Sequence, residues 1–267
     1  MKFRGIDISE FQHVYSYEDL SSDVDFVIIR AGFGFSTIDK EFDRNVEGCI
    51  KYKIPYGVYW FSYALNEKDA EEEADFLCAV LSKYEQKPTY PVFFDWEYDS
   101  DRYAKNHGVT MTKSKLSACA RAFCDRIEKD GYIAGIYTNL DYISRMYDAT
   151  LFSDYVLWYA QWNDTQQYDA PMWQYSNVGD IKGINGYVDL DLSHVDFAQI
   201  TQKPSATGNI VSAIDAVCDK YNVVCKEVYE GLWGSGEERK QKMEKSGISY
   251  DIAQGIINEA YKLAGEL

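Results

Sequence analysis

Five acidic residues stand where short β-rich runs end or turn: Asp7 in RGIDIS, Asp95 and Glu97 in PVFFDWEYD, and Asp189 and Asp191 in GYVDLDLSH. Residues two apart on a strand point to the same face, with Cα atoms ~6.6 Å apart. Asp95 and Glu97 are therefore expected to project into one pocket with Trp96 turned away, and Asp189 and Asp191 to share a face likewise. A lone strand-end acid commonly pairs with an arginine or caps a helix, but here only Arg30 lies at a neighbouring strand end. Crowded, unpaired carboxylates repel, which raises the pKa of one member until it can donate a proton near neutral pH. One protonated and one ionised carboxyl is the apparatus of glycoside hydrolysis, although the DxE spacing by itself is common.

Other chemistries find less support. Asp7, Asp95, Glu97 and Asp189 could hold a hard cation such as Mg²⁺, which leaves a metal-dependent barrel hydrolase as an alternative. A transition metal would want imidazole, and His13, His107 and His194 all lie outside the apolar centres of the expected strands. There is no GxSxG elbow, papain-like cysteine motif, P-loop or GxGxxG, and AGFGFST carries only GxG. The expectation is a site without metal or cofactor.

Composition agrees with a neutral, hydroxyl-rich ligand. The 267 residues are 46% hydrophobic and 26% charged, ordinary values for a globular chain. Tyr (23), Phe (13) and Trp (6) are abundant, and the net charge is −16. A phosphate-backbone partner wants a basic face, so nucleic acid is set aside. The opening MKFRGIDISEFQ has no apolar signal core, and no run approaches the ~18 apolar residues of a membrane span. Synthesis in the cytoplasm is expected, with Cys49, Cys78, Cys119, Cys124, Cys218 and Cys225 as reduced thiols.

Positioning the acids requires strands. Phe3–Ser9, Phe26–Gly32, Pro55–Tyr63, Tyr90–Glu97, Tyr132–Thr138, Tyr155–Trp162, Pro171–Ser176 and Gly186–Leu192 are β-rich. Several are continuous apolar runs of the kind covered on both faces. Helical spacing fills gaps between them: Ala70, Ala74, Leu77, Leu81 and Tyr84, then Leu116, Ala120, Phe123 and Ile127. Eight strands with interleaved helices predict an α/β fold, an irregular (β/α) TIM-like barrel, with its chemistry at the C-terminal strand ends. Gaps between the last three strands are too short for full helices, so those strands need not all be parallel. The barrel is expected over 1–199 and a linker over 200–209 (ITQKPSATGN from Ile200). A small all-α three-helix module follows over 210–267. Ile210, Ile214, Val217, Tyr221, Val224 and Val228 carry its first amphipathic face. Ser235-Gly-Glu-Glu238 reads as a capping box for a second helix that Gly247 can close. Ile252, Ile256, Ala260 and Leu263 carry a third.

The ordered runs RGIDISEFQ, FVIIRAGFG, IPYGVYWFSYA, PVFFDWE, YIAGIYTN, LWYAQW, MWQYS and GYVDLDLS resemble glycoside hydrolase family 25, the Chalaropsis-type lysozymes that include many phage endolysins. The resemblance covers 1–196. It implies cleavage of the β-1,4 bond from N-acetylmuramic acid to N-acetylglucosamine in bacterial peptidoglycan, with retention, and release through a holin-type pore. The family's acidic positions map onto Asp7, Asp95, Glu97 and Asp189, while Asp191 departs from an Asn often found there and is not counted as catalytic. Glu97 is then the general acid. Asp95 stabilises the transition state or orients the 2-acetamido group, and Asp7 and Asp189 tune the field. Arg30, Tyr63, Tyr98, Trp162 and Gln174, at or near strand ends, are expected to line the saccharide cleft, although aromatics fill barrel cores as well. From Val228, VYEGLWGSGEERKQKMEKSGISYDIAQGIINEAY resembles a short three-helix cell-wall-binding repeat. In it Trp233 is either a sugar-stacking platform or a core plug. A wall-binding protein on a catalytically dead barrel is the alternative from another class, and no partner membrane is expected.

Overall fold

Runs such as Phe26–Phe33 (FVIIRAGF) alternate too little to leave one face in water, so their strands must be covered on both sides. The computed structural model, which describes residues 2–202, 236–245, 250 and 253, meets that demand with a closed barrel. In chain order the elements are β1 (Phe3–Ile8), β2 (His13–Val14), α1 (Tyr17–Asp23), β3 (Phe26–Phe33), β4 (Thr37–Ile38), α2 (Phe42–Tyr52) and β5 (Tyr56–Phe61). Next come α3 (Glu67–Leu81), β6 (Val92–Asp95), α4 (Tyr98–Asn106), α5 (Lys113–Lys129), β7 (Ala134–Asn139), α6 (Leu140–Arg145) and α7 (Leu151–Asp154). Then follow β8 (Val156–Ala160), β9 (Met172–Gly179), β10 (Ile184–Asn185), β11 (Val188–Ser193) and α8 (Phe197–Gln202). The compact unit they form spans Met1–Gln202.

Strand β1 pairs in parallel with β3, and β3, β5, β6, β7, β8 and β9 continue in parallel order. Strand β11 closes the ring antiparallel to both β9 and β1. The physical reason lies in the connection. A parallel return needs a crossover of about a dozen residues or more, usually helical, and the turn from β9 through β10 is too short for one. This reversal has a functional consequence. The start of β11, not its end, lies at the rim formed by the C-terminal ends of the other strands.

The interior is filled by pairing large residues with glycines in register. Phe26 lies opposite Gly5, where a Cβ would approach its ring to 2.3 Å; Phe93 lies opposite Gly135, where it would approach to 2.4 Å. Ile28, Trp158 and Met172 continue this inner cluster, and Phe197 and Ala198 of α8 close its lower end against Tyr90. Outside, α3 buries Ala70, Ala74, Leu77 and Leu81, and α5 buries Leu116, Ala120, Phe123 and Ile127. Helix α3 stops at Leu81, before Tyr84. Asn66 and Thr112 cap the two helices by accepting from the backbone N–H of Asp69 and Lys115. Cys49, Cys78, Cys119 and Cys124 are buried free thiols; Cys218 and Cys225 lie outside the described residues.

Helix α8 occupies the first part of the stretch read from its composition as a linker, because Phe197 and Ala198 have barrel surface to bury. The second unit spans Lys203–Leu267. Its described helix, α9 (Gly236–Lys245), falls where the capping-box pattern places one and buries Met243. Ala253 is buried as well. The expected first helix, Ser235, Gly247 and Trp233 lie outside the described residues. Among the described residues no helix is long and apolar enough to cross a membrane.

Candidate active site

Register brings the acids together. Asp7, near the end of β1, lies directly opposite Asp189, near the start of the reversed β11. Asp95 ends β6, and Glu97 follows as the N-cap residue of α4, its N–H donating to Ser100 Oγ at 3.2 Å. Between them Trp96 turns outward, is buried, and donates its Nε1 to Asp101 Oδ1 at 3.0 Å. The four carboxyls open into one cavity of about 180 Å³, lined also by Tyr59, Tyr137, Trp158, Trp162 and Gln174. That volume is below the ~300–1,000 Å³ of pockets that engulf a small molecule. A larger groove of about 550 Å³ lies elsewhere, between α5 and α7 beside Lys113 and Asp148, and has no carboxyl cluster.

Gln174 organises one wall. Its Nε2 donates to Asp7 Oδ2 at 2.8 Å, while its Oε1 accepts from Tyr137 Oη at 3.0 Å and from Trp162 Nε1 at 3.2 Å. Trp162 is nonetheless 61% exposed, a flat apolar face at the mouth. Trp158 Nε1 donates to Asp191 Oδ1 at 2.8 Å below the cleft floor.

The electrostatics follow from burial and crowding. Burial, then the charges of Asp191 and Asp189, push the Asp7 carboxyl well above the ordinary range, with Gln174 opposing. Burial and the neighbouring Glu97 raise Asp95, opposed by Arg30. Glu97 is raised by burial, Asp99 and Asp189, and burial pushes Asp189 to about 6. Such a cleft keeps protons on part of its carboxyls near neutral pH. It offers a proton donor and a carboxylate side by side, the pairing that general acid catalysis requires.

Three of the residues expected to line the cleft sit elsewhere. Arg30 is engaged by Asp39 (Nε to Oδ2, 2.7 Å) and Glu10 (3.0 Å), with its guanidinium 5.0 Å from the Phe11 ring centroid. It contributes charge to the cleft, not contact. Tyr63 stacks on Tyr103 with centroids 4.6 Å apart. Tyr98 is exposed and donates to Asp141 at 3.1 Å. Conversely, Tyr59, Tyr137 and Trp158 line the cleft without having been singled out. The available signal was register: Tyr137 lies beside Asp95, and Trp158 beside Tyr137. Among the described residues no group of three His, Cys, Asp or Glu is arranged to hold a metal ion.

Comparison with known proteins adds an independent line. The modular autolysin LytC from Streptococcus pneumoniae superposes with a TM-score of 0.63 at 26% identity, over 72% of this chain and 46% of that one. The chain therefore spans about half the length of that autolysin. The catalytic domain of endolysin ply40 from bacteriophage P40 of Listeria monocytogenes gives 0.59 at 25% identity, over 74% and 96%. The spore cortex lytic enzyme SleM of Clostridium perfringens gives 0.63 at 24%, over 72% and 67%, a likeness of fold. No curated protein matches the chain. Residues 222–260 match the CW_7 repeat. Residues 6–184 match the model of glycosyl hydrolases family 25, and with its closed barrel and carboxyl-lined cleft the chain belongs to that family.

Proposed function

We propose that the chain is a peptidoglycan hydrolase of the lysozyme type, cleaving the β-1,4 bond between N-acetylmuramic acid and N-acetylglucosamine. The observation that carries this reading is the convergence of Asp7, Asp95, Glu97 and Asp189 on one cleft with Trp162 exposed at its mouth. Family membership and the likeness to LytC, a protein also solved in complex with a synthetic peptidoglycan ligand, support the substrate class. The match of residues 222–260 to the CW_7 repeat supports a cell-wall-binding role for the second unit.

Glu97 is the proton donor to the glycosidic oxygen. It is the least buried of the facing pair, half-buried against a fully enclosed Asp95, and so the better placed to meet a leaving group entering from solvent. Asp95, with Oδ1 free of any partner, faces the reacting carbon or the 2-acetamido group. It attacks the anomeric carbon as the glycosidic bond breaks, forming a glycosyl ester, or stabilises the charge there while holding the 2-acetamido group whose oxygen attacks instead; water, deprotonated by Glu97, then opens the intermediate. Either route passes through two displacements and retains the β configuration. Asp7 and Asp189 hydrogen-bond sugar hydroxyls and set the field, and Trp162 and Gln174 line the saccharide cleft. Loss of turbidity of a purified peptidoglycan suspension tests the reading. Wild type should clear it and Glu97→Gln should not; a suspension left turbid by wild type, with the protein bound to it, would mean a binding protein instead.

A further inference from the structure

Beneath the cleft the barrel encloses a carboxyl that the proposed reaction does not use. Asp191 is fully buried; its Oδ1 accepts from Trp158 Nε1 at 2.8 Å, and its Oδ2 meets no donor. In the register of β11 it lies between Gly5 of β1 and Gln174 of β9. The Phe26 ring fills the place a side chain on Gly5 would take, and Asp7, two residues on, shares the face of β1 that Asp191 meets, so that the two carboxyls act on each other as diagonal neighbours. Gln174 already donates to Asp7 Oδ2. A contact between two carboxyls is a hydrogen bond only when a proton lies between them; with none, it is a repulsion in a medium of low dielectric.

The surroundings offer no alternative compensation. Asp189 lies on the same strand, Asp95 on β6, and the phenols of Tyr59, Tyr137 and Tyr175 on β5, β7 and β9 sense these acids as like charge. The cation felt in the cleft, Arg30 on β3, is held by Glu10 and Asp39. Arg4 of β1 is felt at Tyr175 but is not among the groups acting on Asp7 or Asp191, and Asp189 opposes a second negative charge on both.

We infer that Asp191 is a positioning residue that shares one proton with Asp7, so that Asp7 presents to the substrate a carboxyl fixed on one side by Gln174 and on the other by Asp191. The inference rests on the muramidase reading for its catalytic meaning, not for its chemistry. Burial above all holds the last proton on the pair, with Asp191 pushed up to about 8, so the second negative charge appears only as pH rises past that range. Because two coupled acids titrate jointly, that value belongs to the pair.

The test is Asp191→Asn in the full chain. Asparagine keeps an oxygen for Trp158 and offers an amide donor to Asp7, so the shared proton is no longer needed. The infrared difference between wild type and variant at pH 7 should show the carbonyl stretch of one protonated, deuterium-sensitive carboxyl lost in the variant. Asp7→Asn, which approaches the same pair from the other side, should lose it too. Stability supplies a second readout. A folded-state acid raised from the ordinary range to about 8 makes wild type lose stability as pH rises from about 4 through 8. The thermal midpoint of Asp191→Asn relative to wild type should therefore climb across that window. A difference spectrum without a protonated carboxyl, or parallel midpoint curves, would overturn the inference and leave Asp191 as an acceptor for Trp158 alone. Neither readout needs substrate. An inactive wild type that still shows the shared proton would count against the muramidase reading only.

Discussion

At the residue scale the cleft works by keeping protons where solvent would remove them. Glu97→Gln should fold normally and lose on the order of 10²–10⁴-fold in kcat, the scale of general acid catalysis, measured on soluble muropeptide oligomers. A subtler variant tests the electrostatics. Asp99 is the largest charge raising Glu97 and is itself half-exposed on α4, paired with Arg102 at 2.8 Å. Removing a negative neighbour eases ionisation of Glu97, so its pKa falls and the protonated form is lost at lower pH. Asp99→Asn should move the alkaline limb of the kcat profile to lower pH, with kcat on the acid side unchanged. The four cleft acids were legible in the sequence because i, i+2 parity and strand ends are local facts. Tyr59, Tyr137 and Trp158 were not. In a nearly continuous apolar strand either parity is buried, so spacing does not say which aromatics face the barrel interior and which face the helices. Arg30 and Tyr63 come from the expected strand ends but do not line the cleft: ion pairs with Glu10 and Asp39 hold Arg30, and stacking on Tyr103 holds Tyr63.

At the scale of elements, the reversed β11 and the lock between α3 and β5 set the cleft's geometry. Glu73 of α3 is buried and accepts from Ser62 Oγ at 2.6 Å and from the Tyr63 N–H at 2.9 Å. The Ser62 N–H in turn donates to the Asp95 carbonyl at 2.8 Å, so α3 is tied to the strand end that carries Asp95. Glu73→Ala leaves these donors buried and unpaired and should cost about 1–3 kcal/mol in chemical denaturation. Glu73→Gln retains an acceptor and should cost less. Burial raises Glu73 to about 8, so its part in stability is full below about 4 and declines as pH rises through 8. The interior offers a separate check. Gly135→Ala would place a Cβ 2.4 Å from the Phe93 ring and 2.8 Å from the Val156 carbonyl. Overpacking of that kind costs typically 1–3 kcal/mol, on the order of a fifth of a domain's stability. The eight strands were readable from their apolar runs. The antiparallel closure was foreshadowed only by short gaps, since the choice of hairpin over crossover is made by the whole ring. Helix α8 was hidden because ITQ looks like the start of a polar linker until Phe197 and Ala198 are seen to plug the barrel.

At the scale of the whole molecule, on the proposed reading, a chain of net charge −16 must overcome repulsion from an anionic wall to reach its substrate. On the proposed reading the repeat matched at residues 222–260 supplies the attachment, raising local substrate concentration without new contacts in the cleft. A chain ended after Gln202, where the barrel unit closes, should cleave soluble muropeptides at the full-length rate and clear intact cells more slowly. Equal clearance of cells by both would remove the targeting role. Proton NMR of the first-formed anomer should show the β configuration, and an α product would exclude both retaining routes. On the proposed reading the cleft of Asp7, Asp95, Glu97 and Asp189 opens the bond on the reducing side of N-acetylmuramic acid. Digestion of purified peptidoglycan, followed by borohydride reduction and analysis of the new reducing ends, tests it most directly. The account predicts muramitol as the new end group in wild type and none with Glu97→Gln; N-acetylglucosaminitol, or peptide cleavage without new reducing ends, would contradict it.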